Sequence, residues 1–332
     1  MAVQIIITGG AGFIGSNLAH RLGANGAFDV VVVDRLRDAQ SGKWKNLSAA
    51  TIADLVHPDD LSGYLAENGR DIAAVVHLGA ISATTETDVD RIVANNFTLS
   101  KSIWHWCTEH KKPLIYASSA ATYGGGELGF VDDNAADAIG ALRPLNAYGY
   151  SKRLFDEFAV RQSARGHAPP LWSGLRFFNV YGPNEQHKRG QMSVVAHMYP
   201  KIAAGEPVRL FRSHKDGVAD GEQLRDFISV HDTVDVMEWL LTSERATGIV
   251  NVGTGQARSF LDLAKAAFAA LDKTPAIEFI DTPEAIRANY QYFTQADLGR
   301  LRELGFEGQF TGLEEGVTAY IKTNLVPNGG HA

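Results

Sequence analysis

The sequence predicts an α/β chain, a doubly wound parallel sheet with a smaller C-terminal domain. Two observations carry this. Short β-rich runs alternate with helical stretches from the first residues onward, the order of βαβ units. The runs are almost continuously apolar instead of alternating, as strands covered on both faces must be.

The runs are "VQIIIT" (3–8), "DVVVVD" (29–34), "AAVVHL" (73–78), "PLIYAS" (113–118) and "LWSGLRFF" (171–178). Between the first two, "SNLAHRLGANG" closes on Gly26, the residue that most easily takes the left-handed turn ending a helix. "NNFTLSKSIWHWCTEHKKP" ends on Lys111, Lys112 and Pro113, cations at the negative end of a helix dipole and then a residue that cannot extend it. After about residue 179 the pattern loosens into Gly- and Pro-containing loops, with helices expected around 191–204 and 259–271. "DFISVHDTVDVMEWLL" (226–241) again reads as strand, Asp cap and amphipathic helix. The expected division is therefore 1–178 with 226–246 returning to it, and 179–225 with 247–332 as the second domain.

Composition narrows the partners. The 332 residues are 45% hydrophobic and 21% charged, ordinary for a folded chain with a sizeable core. A net charge of -7 gives no broad attraction to nucleic acid or anionic lipid, so an anionic ligand must be met by a local site. The single cysteine, Cys107, cannot close an internal disulfide and suits a reducing compartment. No apolar run approaches eighteen residues, and no basic region precedes "VQIIIT". A cytoplasmic protein is expected, without membrane or nucleic-acid partners and without a metal site.

"TGGAGFIGSN" (8–17) sets Gly9, Gly12 and Gly15 between a strand and a helix. Glycines there make the tight turn, let a pyrophosphate approach the backbone and let the helix pack on the sheet, while the helix N-terminus offers free amides. Asp34 ends the second strand about twenty residues further on, where a ribose hydroxyl is bound. The expected fold is thus Rossmann-type and dinucleotide-binding. The G-x-x-G-x-x-G spacing resembles the extended branch of the short-chain dehydrogenase/reductase superfamily. Asp34 favours a free 2′-hydroxyl, as in NAD, whereas Arg35, Arg37, Lys43 and Lys45 suit the 2′-phosphate of NADP.

"NAYGYSK" (146–152) places Tyr148 and Lys152 four apart, on one face of a helix. A phenol with a pKa near 10 needs a cation nearby to take a proton at neutral pH, and Lys152 supplies one. Ser119, in "YASSAATYG" at the end of the fourth long strand, can hydrogen-bond the reacting oxygen. Strand ends are where open α/β sheets gather ligands. Nucleotide-sugar dehydratases of the superfamily carry an Asp-Glu pair just before the tyrosine matching Tyr123. Ala120 and Ala121 stand there, which disfavours dehydration.

"EQHKRGQM" (185–192) sets His187, Lys188 and Arg189 side by side in an otherwise acidic chain. Composition alone favours a solvated loop. Over nearly its full length, however, the chain resembles the ADP-L-glycero-D-manno-heptose 6-epimerase family. "YASSAATYGG", "PLNAYGYSK", "LRDFISV" and "NVGTGQARSF" match its segments; "RFFNVYGPNEQHK" and "YQYFTQADL" are the most specific. The resemblance implies that NADP takes a hydride from exocyclic carbon 6 of an ADP-heptose and returns it on the other face, with no net redox change. It assigns Tyr148 and Lys188 as two acid/bases, since the oxygen presented after inversion lies out of reach of one rigid tyrosine. Burial, or like charge from Arg189, would bring the lysine into a useful range.

By the same resemblance, Phe13, Ile14, Asp34, Arg35, Lys43, Leu78, Gly79, Ala80, Ile81, Ser82, Asn95, Lys152, Val180 and Lys188 line the cofactor with the three glycines. Ser119, Asn179, Gln191, His197, the turn Phe211, Arg212, Ser213 and His214, Arg225 and Tyr290 hold the ADP-sugar. Three departures stand out: Leu78 replaces a usual Glu, Arg35 a usual Asn, and "HKRGQMS" shifts the common pattern by one residue. The resemblance further implies a homo-oligomer. The alternatives are another nucleotide-sugar epimerase, such as one acting at ring carbon 4 of a UDP-hexose, and a non-catalytic dinucleotide-binding sensor or scaffold.

Overall fold

The computed structural model describes residues 3–243, 245, 248–287 and 290–332. In chain order the strands are β1 (Val3–Thr8), β2 (Phe28–Val33), β3 (Asp54–Val56), β4 (Ile72–His77), β5 (Leu114–Ser119) and β6 (Trp172–Phe177). They continue with β7 (Asn179–Tyr181), β8 (Val208–Phe211), β9 (Leu224–Ser229), β10 (Gly248–Val252), β11 (Ala257–Ser259) and β12 (Ile277–Ile280). The helices that matter for the site are α1 (Phe13–Asn25), α2 (Ala147–Ala164), α3 (Val194–Ala204), α4 (Val230–Thr242) and α5 (Phe260–Ala270).

Seven strands form one parallel sheet in the order β10-β6-β5-β4-β1-β2-β3. This is the Rossmann-type sheet expected from the sequence. Its two faces bury alternate residues of the same runs: Ile5, Ile7, Val30 and Val32 pack with Leu18 of α1 and Met237 of α4. Ile6, Val31, Val33 and Val75 face the other way, towards Trp104 and Phe155. Burial on both faces is why the strands read as unbroken apolar runs. Strand order reverses at β1, between β4 and β2, and the crevice beyond the carboxyl ends of β1 and β4 is where such sheets bind ligands.

A third apolar cluster gathers Val195, Met198 and Ile202 of α3 with Leu210, Phe227, Leu263 and Phe268. Beside it lie two small sheets, β11-β9-β7 and β12-β8.

The returning segment differs from expectation in detail. The helix α4 does come back to α1, tied by Arg21 to Asp235 at 2.7 Å and to Glu238 at 2.8 Å. The strand before it, β9, pairs instead with β7 and β11. β10, which falls in the range assigned to the second domain, joins the main sheet alongside β6. A five-residue run, "GIVNV", is too short for periodicity to reveal which sheet it completes. Residues 244, 246 and 247, at that expected boundary, lie outside the described residues.

Candidate active site

At the end of β1 the backbone turns through Gly9 (φ +70), and a Cβ there would come within 2.7 Å of Gly79 N. A side chain at Gly15 would run into Gly9 O, so the turn and α1 meet backbone to backbone. No side chain caps the start of α1, which leaves its first-turn amides for an anion. Asp34 follows β2, as expected. Its Oδ2 accepts from Ala11 N–H at 2.9 Å, and its Oδ1 from Arg35 N–H at 2.7 Å and Lys43 Nζ at 2.5 Å. This cradle fits the diphosphate and ribose of a dinucleotide.

The cradle opens into a cleft of about 560 Å³. Gly9, Gly12, Phe13, Ile14, Gly15, Asp34, Lys43, Leu78, Gly79, Ala80, Ser82 and Val180 line it, with Arg37. Three residues expected here do not. The Arg35 side chain, 51% exposed, turns outward to pair with Asp59. Ile81 points its backbone the other way: its N–H donates to Asn96 Oδ1 (2.8 Å) and its carbonyl accepts from Asn96 Nδ2 (2.9 Å). Asn95 bonds back to Arg91 O at 2.9 Å, so the buried Asn96 is the residue that holds this loop. Both residues lie in a π-helical turn over Ala94–Thr98.

β5 delivers Ser119 to the cleft, and α2 delivers Tyr148 and Lys152 one turn apart, its N-terminus capped by Asn146 Oδ1 on Gly149 N–H (2.8 Å). Lys152 Nζ donates to Ala117 O at 2.7 Å and lies 6.0 Å from the Tyr148 ring centroid. Burial pushes the Lys152 amine down to about 8, against the upward pull of the Asp156 carboxylate. Burial also raises the Tyr148 phenol, opposed by a hydrogen bond with Ser119. Asp156, one turn beyond Lys152, is wholly buried and accepts from Tyr116 Oη (3.1 Å), Ser118 Oγ (2.9 Å) and Arg176 Nε (3.0 Å).

Only part of the basic loop is solvated. Lys188 is half-buried, lines the same cleft and holds its ammonium 5.4 Å from the Phe13 ring centroid. Burial lowers its pKa, with Glu185 opposing. Arg189 has no part in this: it is exposed, at φ 50 and ψ -118. His187, to which the sequence assigned no role, also lines the cleft; burial, then the charges of Lys43 and Lys188, push it down to about 4.

Of the expected sugar-binding residues, Ser119, Asn179 and Gln191 line the cleft. His197 is exposed on α3 and does not, because the α3 face carrying Val195, Met198 and Ile202 is the one turned inward. Phe211, Arg225 and Tyr290 form a neighbouring cluster. The Arg225 guanidinium lies 5.5 Å from the Tyr290 ring and 5.5 Å from that of Phe260, which is itself a wall of the cleft; Phe211 stands 6.0 Å from Tyr290. Arg212 and His214 are exposed, Arg212 near Asp220 and Asp281, while Ser213 N–H donates to Asp220 Oδ1 at 2.8 Å. The 211–214 turn therefore sits outside the main cleft.

The NAD dependent epimerase/dehydratase family model matches residues 5–253. An ADP-L-glycero-D-manno-heptose-6-epimerase of Fusobacterium nucleatum is 46% identical over 330 residues, 97% of this chain and 98% of its own length. The chain belongs to the ADP-L-glycero-D-manno-heptose-6-epimerase family. Among solved structures, the Helicobacter pylori ADP-L-glycero-D-manno-heptose-6-epimerase superposes with a TM-score of 0.78 at 29% identity, covering 97% of this chain and 96% of that one. The UDP-glucose 4-epimerase of Thermus thermophilus in complex with NAD gives 0.76 at 26% identity, covering 96% and 98%. A nicotinamide dinucleotide is thus the cofactor class of this epimerase family, in agreement with the cradle at Gly9–Gly15. Among the described residues no helix is long and apolar enough to cross a membrane.

Proposed function

We propose that the protein inverts carbon 6 of the heptose in ADP-D-glycero-D-manno-heptose, giving the ADP-L-glycero-D-manno isomer through a 6-keto sugar. One observation carries the site assignment. Lys188, from a loop far along the chain, lines the same cleft as Ser119, Tyr148 and Lys152. A nicotinamide dinucleotide, when bound, supplies the capacity to take a hydride from the sugar and give it back. The chain's own residues handle the proton. Ser119 hydrogen-bonds the reacting oxygen, and Lys152 stabilises the Tyr148 phenolate. Tyr148 and Lys188 each hold the oxygen's proton in one of its two directions.

NADP is the dinucleotide in this reading. Lys43 and Arg37 line the cleft beside Asp34, and the Asp34 carboxylate is already met by the Lys43 ammonium and by backbone amides, so cations are at hand for a 2′-phosphate. The Phe211, Arg225 and Tyr290 cluster takes the ADP moiety beyond Phe260. The same reading places a homo-oligomer in the cytoplasm.

Incubation with ADP-D-glycero-D-manno-heptose, followed at carbon 6 by NMR, should show inversion. Inversion only of a UDP- or GDP-sugar would favour a ring-carbon epimerase instead, and no change in any sugar would favour a non-catalytic protein. Lys188→Ala should lower turnover by about 10²–10⁴, the usual worth of a general acid/base. Turnover within about tenfold of wild type would remove Lys188 from the chemistry. The mass of nucleotide released on denaturation distinguishes NADP from NAD.

A further inference from the structure

Lys188 stands on a loop and ends in a flexible side chain, so its aim depends on how the backbone beneath it is held. That backbone is fastened to the dinucleotide cradle. Asn184 sits in the left-handed region (φ 72) and uses all four of its polar groups. Its N–H donates to Gly330 O (2.8 Å), its carbonyl accepts from Asn46 Nδ2 (3.0 Å), its Nδ2 donates to Ser16 Oγ (3.0 Å), and its Oδ1 accepts from Ala332 N–H (2.9 Å). The preceding Pro183 carbonyl accepts from Asn17 Nδ2 at 3.0 Å. The following Glu185 accepts from both Ser193 N–H and Ser193 Oγ at the start of α3.

Asn46 completes the fastening. Its side-chain amide nitrogen donates its two hydrogens to Ala11 O in the glycine-rich turn and Asn184 O in the lysine loop, each 3.0 Å away, and lies 3.0 Å from His187 Nδ1 as well. Ser16, Asn17, Asn46 and Asn184 are all buried. Such a network costs desolvation that an apolar contact would avoid, and Asn46 carries a further cost because its Oδ1 is buried without a partner. What the network provides is a single geometry.

We propose that Asn184 and Asn46 are positioning residues that bolt the Lys188 loop to the dinucleotide-binding turn, so that the cofactor cradle and the second proton carrier form one rigid piece. This rests on the reading of Lys188 as an acid/base.

The test is a double-variant cycle. Asn184→Gly keeps the left-handed backbone and its two main-chain bonds while removing the bonds to Ser16 and Ala332. It should lower kcat by about 10- to 100-fold, the scale of an ångström of misplacement, with KM for the ADP-heptose within about threefold. Asn46→Ala should act alike; should it fail to fold, Asn184→Gly alone carries the test. In a Lys188→Ala background, Asn184→Gly should change kcat by less than about twofold, since it acts only through Lys188. Losses that multiply in the double variant, or a single variant within about threefold of wild type, would overturn the proposal while leaving an impaired Lys188→Ala untouched. A fully active Lys188→Ala would overturn the underlying reading and the proposal together.

Discussion

Replacing Lys152 with Met should make the protein more stable and nearly inactive. The Lys152 side chain is 5% exposed, and burial holds its amine at about 8 against an ordinary 10.5. At about 1.36 kcal/mol per tenfold, that gap means that keeping the charge buried costs the folded state about 3 kcal/mol at neutral pH. Met keeps the length of the side chain and discards the charge. It also discards the hydrogen bond to Ala117 O, worth about 1 kcal/mol net. The variant should therefore gain about 2 kcal/mol at pH 7. Because the folded value lies below the unfolded one, the folded wild type binds fewer protons than the unfolded chain between pH 8 and 10.5. Its burial cost is present in full below pH 8 and gone above 10.5, so across that window the wild type should catch up with the variant and pass it by about 1 kcal/mol. Urea unfolding of both proteins, freed of dinucleotide, at pH 7, 9 and 10.5 reads this difference, in which the other titrating groups cancel. A difference that stays constant with pH, or a Met variant less stable at pH 7, would show that Lys152 is not a buried charge. Turnover should fall by about 10²–10⁴, because Tyr148 loses the cation that favours its phenolate.

Asp156→Ala should destabilise by about 3–5 kcal/mol, since it strands the buried Arg176 guanidinium, whose Nη2 already has no partner; a loss under about 1 kcal/mol in urea unfolding would contradict this. Gly15→Ala should cost about 1–3 kcal/mol and weaken dinucleotide binding, because its Cβ would push α1 away from Gly9 O; unchanged affinity in a fluorescence titration would mean that the turn yields freely. Tyr148→Phe should abolish turnover to a similar extent as Lys188→Ala while dinucleotide affinity stays within a few-fold, and a parallel loss of cofactor binding would instead point to a packing role.

Five of the seven main-sheet strands (β1, β2, β4, β5 and β6), the glycine turn, Asp34 at the end of β2, Ser119 at the end of β5 and the Tyr148–Lys152 pair were legible in the linear chain, whereas the three-residue β3 was not. Each follows from a local period: unbroken apolar runs for strands buried on both faces, four residues for one helical turn, and glycine where backbone must approach backbone. Tertiary structure alone decided what surrounds these groups. It turned Lys188 into the cleft and Arg35 out to Asp59, set Asn96 instead of Asn95 under the Leu78–Ser82 loop, left His197 outside, and made β10 the seventh strand. It also joined Asn184 to Ser16, Asn46, Gly330 and Ala332. The reason is physical: backbone periodicity depends on near neighbours, whereas burial, the partner of a charge and the pKa that results depend on residues brought together from distant parts of the chain.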